Sequence, residues 1–209
     1  MSESTVFVKR YTGDDSRFAV NEQEILRYAG YPVKDMDEEL RHLLDQVREE
    51  LLYAFSYQVC YRRMEITWQE DQPLLPFSVT SQDLAKCLRG SREIILFAAT
   101  VGLEIDRYIA RYQRISETKA LLLQAYGAER VECLCNAFCQ EIKEEEAAQG
   151  GTVTARFSPG YGDLPLQVQK DVFRLLDCNR QIGISLNDSL LMTPSKSVTA
   201  LFGIRKEHI

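Results

Sequence analysis

Six residues from Ile94 to Ala99, Ile-Ile-Leu-Phe-Ala-Ala, are apolar without interruption, and Gly90 and Gly102 stand on either side. The run is too short for a core helix. It fits a strand whose two faces are both covered, because alternate side chains point to opposite sides of a sheet. A chain with such a strand needs apolar layers above and below it. The long amphipathic patterns around it must supply them.

Those patterns are legible. Val6 to Tyr11 reads as a strand or ordered arm, and Asn21 to Tyr28 as a short helix with Asn21 as N-cap, closed at Gly30. Leu40, Leu43, Leu44, Val47, Leu51, Leu52 and Phe55 recur every three or four residues, which predicts one helix from Asp37 to about Cys60. Arg62 to Trp68 alternates like a strand. Leu74 to Val79 is a second strand candidate, interrupted by Pro76. Ser81 opens a helix to Leu88, and Gly102 marks a turn from the apolar strand into helices over Leu103–Tyr112 and Glu117–Ala148, the latter capped by Ser116. Gly127 lies inside that long helix, either for close approach of another group or as a tolerated surface glycine. Gly150 and Gly151 end it, and Thr152 to Phe157 is extended again. Leu164 to Leu176 is a helix with Pro165 in its first turn, and Val198 to Ile204 a last strand. The expected architecture is α+β, a sheet of several strands with helices packed on it.

Much common chemistry is poorly supported. A net charge of −6 lacks the basic footprint of nucleic-acid binding. No apolar run reaches membrane-span length, and no export signal opens the chain, so a cytoplasmic location is expected. His42 and His208 lack the setting of a metal ligand or general base, and there is no phosphate loop or GxGxxG turn. Cys133, Cys135 and Cys139 are close in sequence but do not have paired zinc spacing. With Cys60, Cys87 and Cys178 they read as reduced, structural thiols, and no metal is expected. Glu144–Glu146 reads as a solvated helix face.

One loop carries a tool set for ligands. Arg156-Phe157-Ser158-Pro159-Gly160-Tyr161 leaves an extended segment, and Gly162, Asp163 and a helix follow. A guanidinium grips a carboxylate with two parallel hydrogen bonds. Gly160 and Gly162 permit positive φ or close backbone approach, and the amides of a following helix favour an anion. Tyr161 offers a flat apolar face and a hydroxyl. An amino-acid-like ligand with an aromatic base suits this set. A plain strand-to-helix turn would also use Pro159 and the glycines.

The order of motifs narrows the choice. Arg156, Gly160 and Tyr161 form R-x-x-x-G-Y; a helix follows, then Ile182-Gly183 with Leu186, then Met192-Thr193-Pro194-Ser195-Lys196-Ser197-Val198 turning into a strand. Over about Thr152 to Ile204 this series resembles the activation domain of cobalamin-dependent methionine synthases. The resemblance implies a mainly antiparallel twisted sheet with helices packed on it. It implies one domain over 1–209, with a helical part at about 1–60 and a motif-bearing part at about 61–209.

The family binds S-adenosylmethionine and supplies the methyl group that returns oxidised, re-reduced cobalamin to methylcobalamin, the electron coming from a donor such as flavodoxin. By that resemblance Arg156 binds the methionyl carboxylate, and Tyr161 lines the adenosine or cobalamin side. Gly160 and the backbone near Gly162 and Asp163 approach the ligand. A glutamate on the preceding helix completes the site, with Glu132 as first candidate and Glu129 as second; both also suit a solvated helix face. No catalytic side chain is expected, since the ligand and the corrinoid carry the reaction.

Departures from the family are equally legible. Gly150-Gly151-Thr152-Val153 stands where the family has an acidic residue before the arginine, and only Asp35 and Asp37 could replace its N-terminal aspartate. The family's extension beyond the last strand has no counterpart, nor do the cobalamin, folate and homocysteine modules. The implied protein is therefore a methyltransferase component that needs a corrinoid partner. That partner is a methionine synthase core or another corrinoid protein; the alternative from another class is a non-catalytic S-adenosylmethionine-binding module.

Overall fold

The computed structural model describes residues 5–13, 16–31 and 37–206. In its first half the elements are β1 (Phe7–Tyr11), a 3-10 turn (Ser16–Phe18), α1 (Glu22–Tyr28), α2 (Glu38–Glu50), β2 (Tyr57–Glu65), β3 (Thr67–Gln69), β4 (Gln72–Leu74), α3 (Gln82–Leu88) and β5 (Glu93–Thr100). In the second half come α4 (Glu104–Tyr112), α5 (Glu117–Ala147), β6 (Gly151–Val153), α6 (Val168–Leu176), α7 (Cys178–Ile182), β7 (Ser185–Leu186), β8 (Met192–Thr193) and β9 (Ser197–Lys206).

The main sheet has the order β1-β2-β5-β9-β6, and every pairing in it is antiparallel. The apolar run is its central strand. Ile95, Phe97 and Ala99 face the core under α1, α2 and α5; Ile94, Leu96 and Ala98 face a second core with Val168, Val172 and Leu176 of α6 and Cys178 of α7. Both faces are covered, which is why the strand is apolar at every position although no neighbour is parallel to it. The fold is therefore α+β with a mainly antiparallel sheet, as expected.

Local signals account for most boundaries. Asn21, Asp37, Ser81 and Ser116 each cap a helix, their side chains accepting from the amides of Glu24, Leu40, Leu84 and Lys119. Gly150, at φ 75°, takes the chain out of α5. Gly127 sits where α5 meets α4: a Cβ there would lie 2.9 Å from Ile105 Cγ1 and 3.0 Å from Lys196 Cγ. Close approach, not surface tolerance, explains that glycine.

Several expectations need correction. Glu146, expected on a solvated helix face, is buried and paired with Arg63, and the Arg62–Trp68 strand is divided at Ile66 between β2 and β3. The helix expected to run to Cys60 ends at Glu50; Leu51 and Ala54 are buried in a turn, and Tyr57–Cys60 begin β2. The apolar spacing continues past the end of α2, but pairing with β1 and β5 outweighs it. The Leu74–Val79 strand is only Gln72–Leu74, since Pro76 lacks the N–H a longer ladder needs. Helix α6 starts at Val168, not Leu164, after single turns in which the amides of Val168 and Gln169 bond to Pro165 and Leu166 carbonyls. The extended stretch Thr152–Phe157 ends as a strand at Val153, stays tied to β9 through Thr154 and Gly203, and pairs with the sheet again at the Phe157–Leu201 bridge.

Candidate functional site

The departure of the chain between Val153 and Phe157 creates the site. Thr154 stays tied to β9, its amide bonded to the Gly203 carbonyl and its hydroxyl accepting from the Gly203 amide, both at 2.9 Å. Phe157 is fixed by two hydrogen bonds to Leu201. Arg156, between these anchors, turns its side chain to α5. There Nη2 donates to Glu132 Oε2 at 2.5 Å. The guanidinium also lies beside the Cys135 and Cys139 thiols, on the same helix face. Burial pushes both thiols up, Cys139 to about 11, although the Arg156 cation opposes the shift. Both are therefore protonated near neutral pH and poor nucleophiles.

The pair is only half enclosed, with 24% of the Arg156 side chain and 36% of the Glu132 side chain exposed. Arg156 Nη1, by contrast, is buried and has no hydrogen-bond partner. A donor of that kind costs free energy until an acceptor reaches it. Two grooves meet at this pair. One, of about 380 Å³, lies between α1 and α5 and is lined by Glu132, Asn136, Asn21, Glu24 and Tyr28. The other, of about 460 Å³, lies between α5 and the loop and is lined by Arg156, Asn136, Gln140, Lys143 and the Val153–Ala155 segment. Glu132, Asn136 and Gln140 follow one another at four-residue spacing along α5, so one helix stripe floors both grooves.

The remaining expected residues have distinct places. Gly160 takes φ 88° and its amide bonds to the Leu164 carbonyl at 2.9 Å, closing a tight turn that needs a glycine. Tyr161 is 69% exposed and rests edge-on against Phe157, with ring centroids 5.4 Å apart. Gly162, at φ 54°, passes so close to Asp83 that a Cβ would lie 2.6 Å from its Oδ2. The Asp163 carboxylate accepts from the Ser81 hydroxyl and from the Gln82 and Asp83 amides, tying the turn to the start of α3. Those bonds, the Ser81 hydroxyl foremost, hold its pKa below the usual value.

Glu129 is buried and differs from Glu132 in its partners. Both its oxygens are taken by Arg130, at 2.5 and 2.6 Å, and the Asn21 amide donates to one of them. Arg130 in turn donates to the Phe18 and Ala19 carbonyls. This pair clamps the segment before α1 onto α5. The structure thus brings Arg156 and Glu132 together; Glu129 lines the same groove as Glu132 with its carboxylate bonded to Arg130, and the Asp163 carboxylate is engaged at the start of α3. Asp37 caps α2, and Asp35 lies outside the described residues. Tyr28, Glu24 and Asn136 beside Glu132 were not anticipated. The spacing of Asn136 from Glu132 was a usable signal; the arrival of α1 at this groove depends on long-range packing and has none.

Other features bear on what the site holds. Among the described residues no group of three His, Cys, Asp or Glu side chains could hold a metal ion. All six cysteines are free. His42 is exposed and paired with Gln46, and His208 lies outside the described residues. Among the described residues no helix is long and apolar enough to cross a membrane.

Residues 78–208 match the family model described as vitamin B12 dependent methionine synthase, activation domain. That span contains the Arg156 loop, Glu132 and the Met192–Val198 turn. No curated protein matches the chain. Among solved structures, one described as the MetH reactivation domain bound to AdoHcy is similar in fold, with a TM-score of 0.67 and 13% identity, over 100% of this chain and 81% of that one. The family match covers well over half of the sequence: the chain belongs to the activation-domain family of vitamin B12-dependent methionine synthases.

Proposed function

We propose that the protein binds S-adenosylmethionine at the Arg156–Glu132 junction and presents its methyl group to the reduced cobalamin of a separate protein. The observation that carries this reading is Arg156 itself: a guanidinium on the family's loop, with one buried nitrogen lacking an acceptor, at the meeting of two grooves. An α-carboxylate is the acceptor that suits it. Glu132 takes the ligand's ammonium. The Gly160–Tyr161–Gly162 turn lines neither groove, but it follows Arg156 directly in sequence and offers the exposed Tyr161 ring to the adenosine or the corrinoid. Asp163 holds that turn from behind, and Glu129 fixes the wall formed by α1.

When bound, S-adenosylmethionine supplies a methyl group activated by its sulfonium. The protein's own residues bind and orient it, and they need no acid or base of their own. The partner is a methionine synthase core, the reductant is flavodoxin or another electron donor, and the setting is methionine synthesis in the cytoplasm. The solved relative whose printed description names AdoHcy supports this ligand class.

Calorimetry tests the site. Arg156→Ala removes a charge-assisted contact of ~1.5–3 kcal/mol, so affinity for S-adenosylmethionine should fall roughly 10–100-fold. Unchanged affinity in the variant means the ligand lies elsewhere.

A further inference from the structure

We infer that Lys196 is a modification site, its amine held ready for acylation by small acyl phosphates. The inference does not depend on the methyl-donor site. Lys196 lies in the turn between Pro194 and β9, where that turn meets α4 and α5. Its stem runs over Gly127: a Cβ there would lie 3.0 Å from Lys196 Cγ and 3.1 Å from Cε. The glycine lets this lysine lie directly on the backbone of α5.

The partners of the amine set it apart. Nζ donates to a neutral acceptor, Gln124 Oε1, at 2.6 Å, and among the described residues it makes no ion pair. Asp106 of α4 is the charged group that acts on it, but Ser195 occupies both carboxylate oxygens, one through its amide at 2.8 Å and the other through its hydroxyl. On the sheet side, Thr100 of β5 bonds only the Lys196 carbonyl. Lys9, Lys86, Lys119 and Lys206 each pair with a carboxylate, those of Glu141, Asp83, Glu50 and Glu93. Lys143 and Lys170 stand exposed. Among the described lysines, Lys196 is the one that is partly buried against an uncharged partner.

Partial burial without a paired carboxylate disfavours the ammonium form. Desolvation pushes the Lys196 amine below the usual lysine value, and the Asp106 charge opposes that shift without cancelling it. More of this amine is therefore unprotonated near neutral pH than of a lysine in water, and the unprotonated amine is the nucleophile.

The reaction balances without a cofactor. Nζ attacks the carbonyl carbon of the acyl phosphate and an N–C bond forms. The C–O bond to phosphate breaks, phosphate leaves with the electron pair, and the surplus proton on nitrogen passes to water. The product amide loses the charge but keeps an N–H for Gln124 Oε1. A compact donor suits an amine that is half enclosed and held by its stem.

Acetyl phosphate is the probe. The wild-type chain is treated at about pH 8, and acetylation of each lysine is followed in time by peptide mass spectrometry. Lys196 should acetylate about fivefold or more faster than Lys143 and Lys170, and the gap should narrow as pH rises toward the ordinary lysine value of about 10.4. Gln124→Glu places a carboxylate on the amine, favours the ammonium form, and should bring Lys196 down to the rate of the exposed lysines or below. Thermal unfolding of that variant checks its fold, and the wild-type comparison stands without it. Acetylation of Lys196 no faster than that of Lys143 and Lys170 overturns the inference. So does a folded Gln124→Glu variant in which the Lys196 rate is unchanged.

Discussion

Replacing Arg130 by Met should destabilise the protein severely, because it strips a buried carboxylate of its charge partner. The Arg130 side chain is 2% exposed and that of Glu129 6%. The substitution removes two ionic hydrogen bonds to Glu129 and two more to the Phe18 and Ala19 carbonyls. Glu129 then keeps only the Asn21 amide at 3.2 Å. Breaking one side of a buried pair costs ~3–5 kcal/mol. At ~2–4 °C per kcal/mol for a chain of this size, the melting temperature should drop by roughly 6–20 °C, measured by thermal unfolding with a urea titration alongside. The double variant Glu129→Leu/Arg130→Met should recover most of the loss, because replacing a buried pair by apolar side chains is often neutral. A single-variant shift under ~2 °C would refute the reasoning and free Glu129 for a ligand role.

Two further perturbations probe packing and charge. Gly127→Ala gains ~1 kcal/mol of helix propensity but forces a methyl to within 2.9 Å of Ile105, and overpacking costs ~1–3 kcal/mol. Urea titration should show net destabilisation, whereas a more stable variant would mean that α4 and Lys196 yield freely. The Ser81 hydroxyl and the Gln82 and Asp83 amides hold the folded pKa of Asp163 below the usual aspartate value of about 3.9, so its contribution is present above that pH and is lost as pH falls through the lower folded value. Asp163→Asn should therefore lower the melting temperature at pH 7 and flatten its fall below about pH 4; an unchanged profile at both ends contradicts the capping role.

Parts of this molecule are legible in sequence because a local rule decides them. The Ile94–Ala99 run announces a strand covered on both faces, and the N-caps at Asn21, Asp37, Ser81 and Ser116 follow from side chains that bond the first turn. Arg156 was legible through its motif. The rest depends on distant partners. Nothing local ends α2 at Glu50: the apolar spacing runs on, and only pairing of β2 with β1 and β5 decides it. Glu129 and Glu132 look alike on one helix, and they part only because Arg130 and the Asn21 amide reach one and Arg156 the other. The groove under α1 has no signature, since Tyr28 arrives there through packing of α1 on α5.

The central claim is methyl donation in trans, and one measurement addresses it most directly. A cobalamin-bearing methionine synthase core in the Co(II) state is mixed with this protein, S-adenosylmethionine and a low-potential reductant, and the absorption spectrum is followed. The account predicts conversion to methylcobalamin that requires both the protein and S-adenosylmethionine and is lost with Arg156→Ala. A spectrum that stays Co(II), or that converts equally well without this protein, contradicts it.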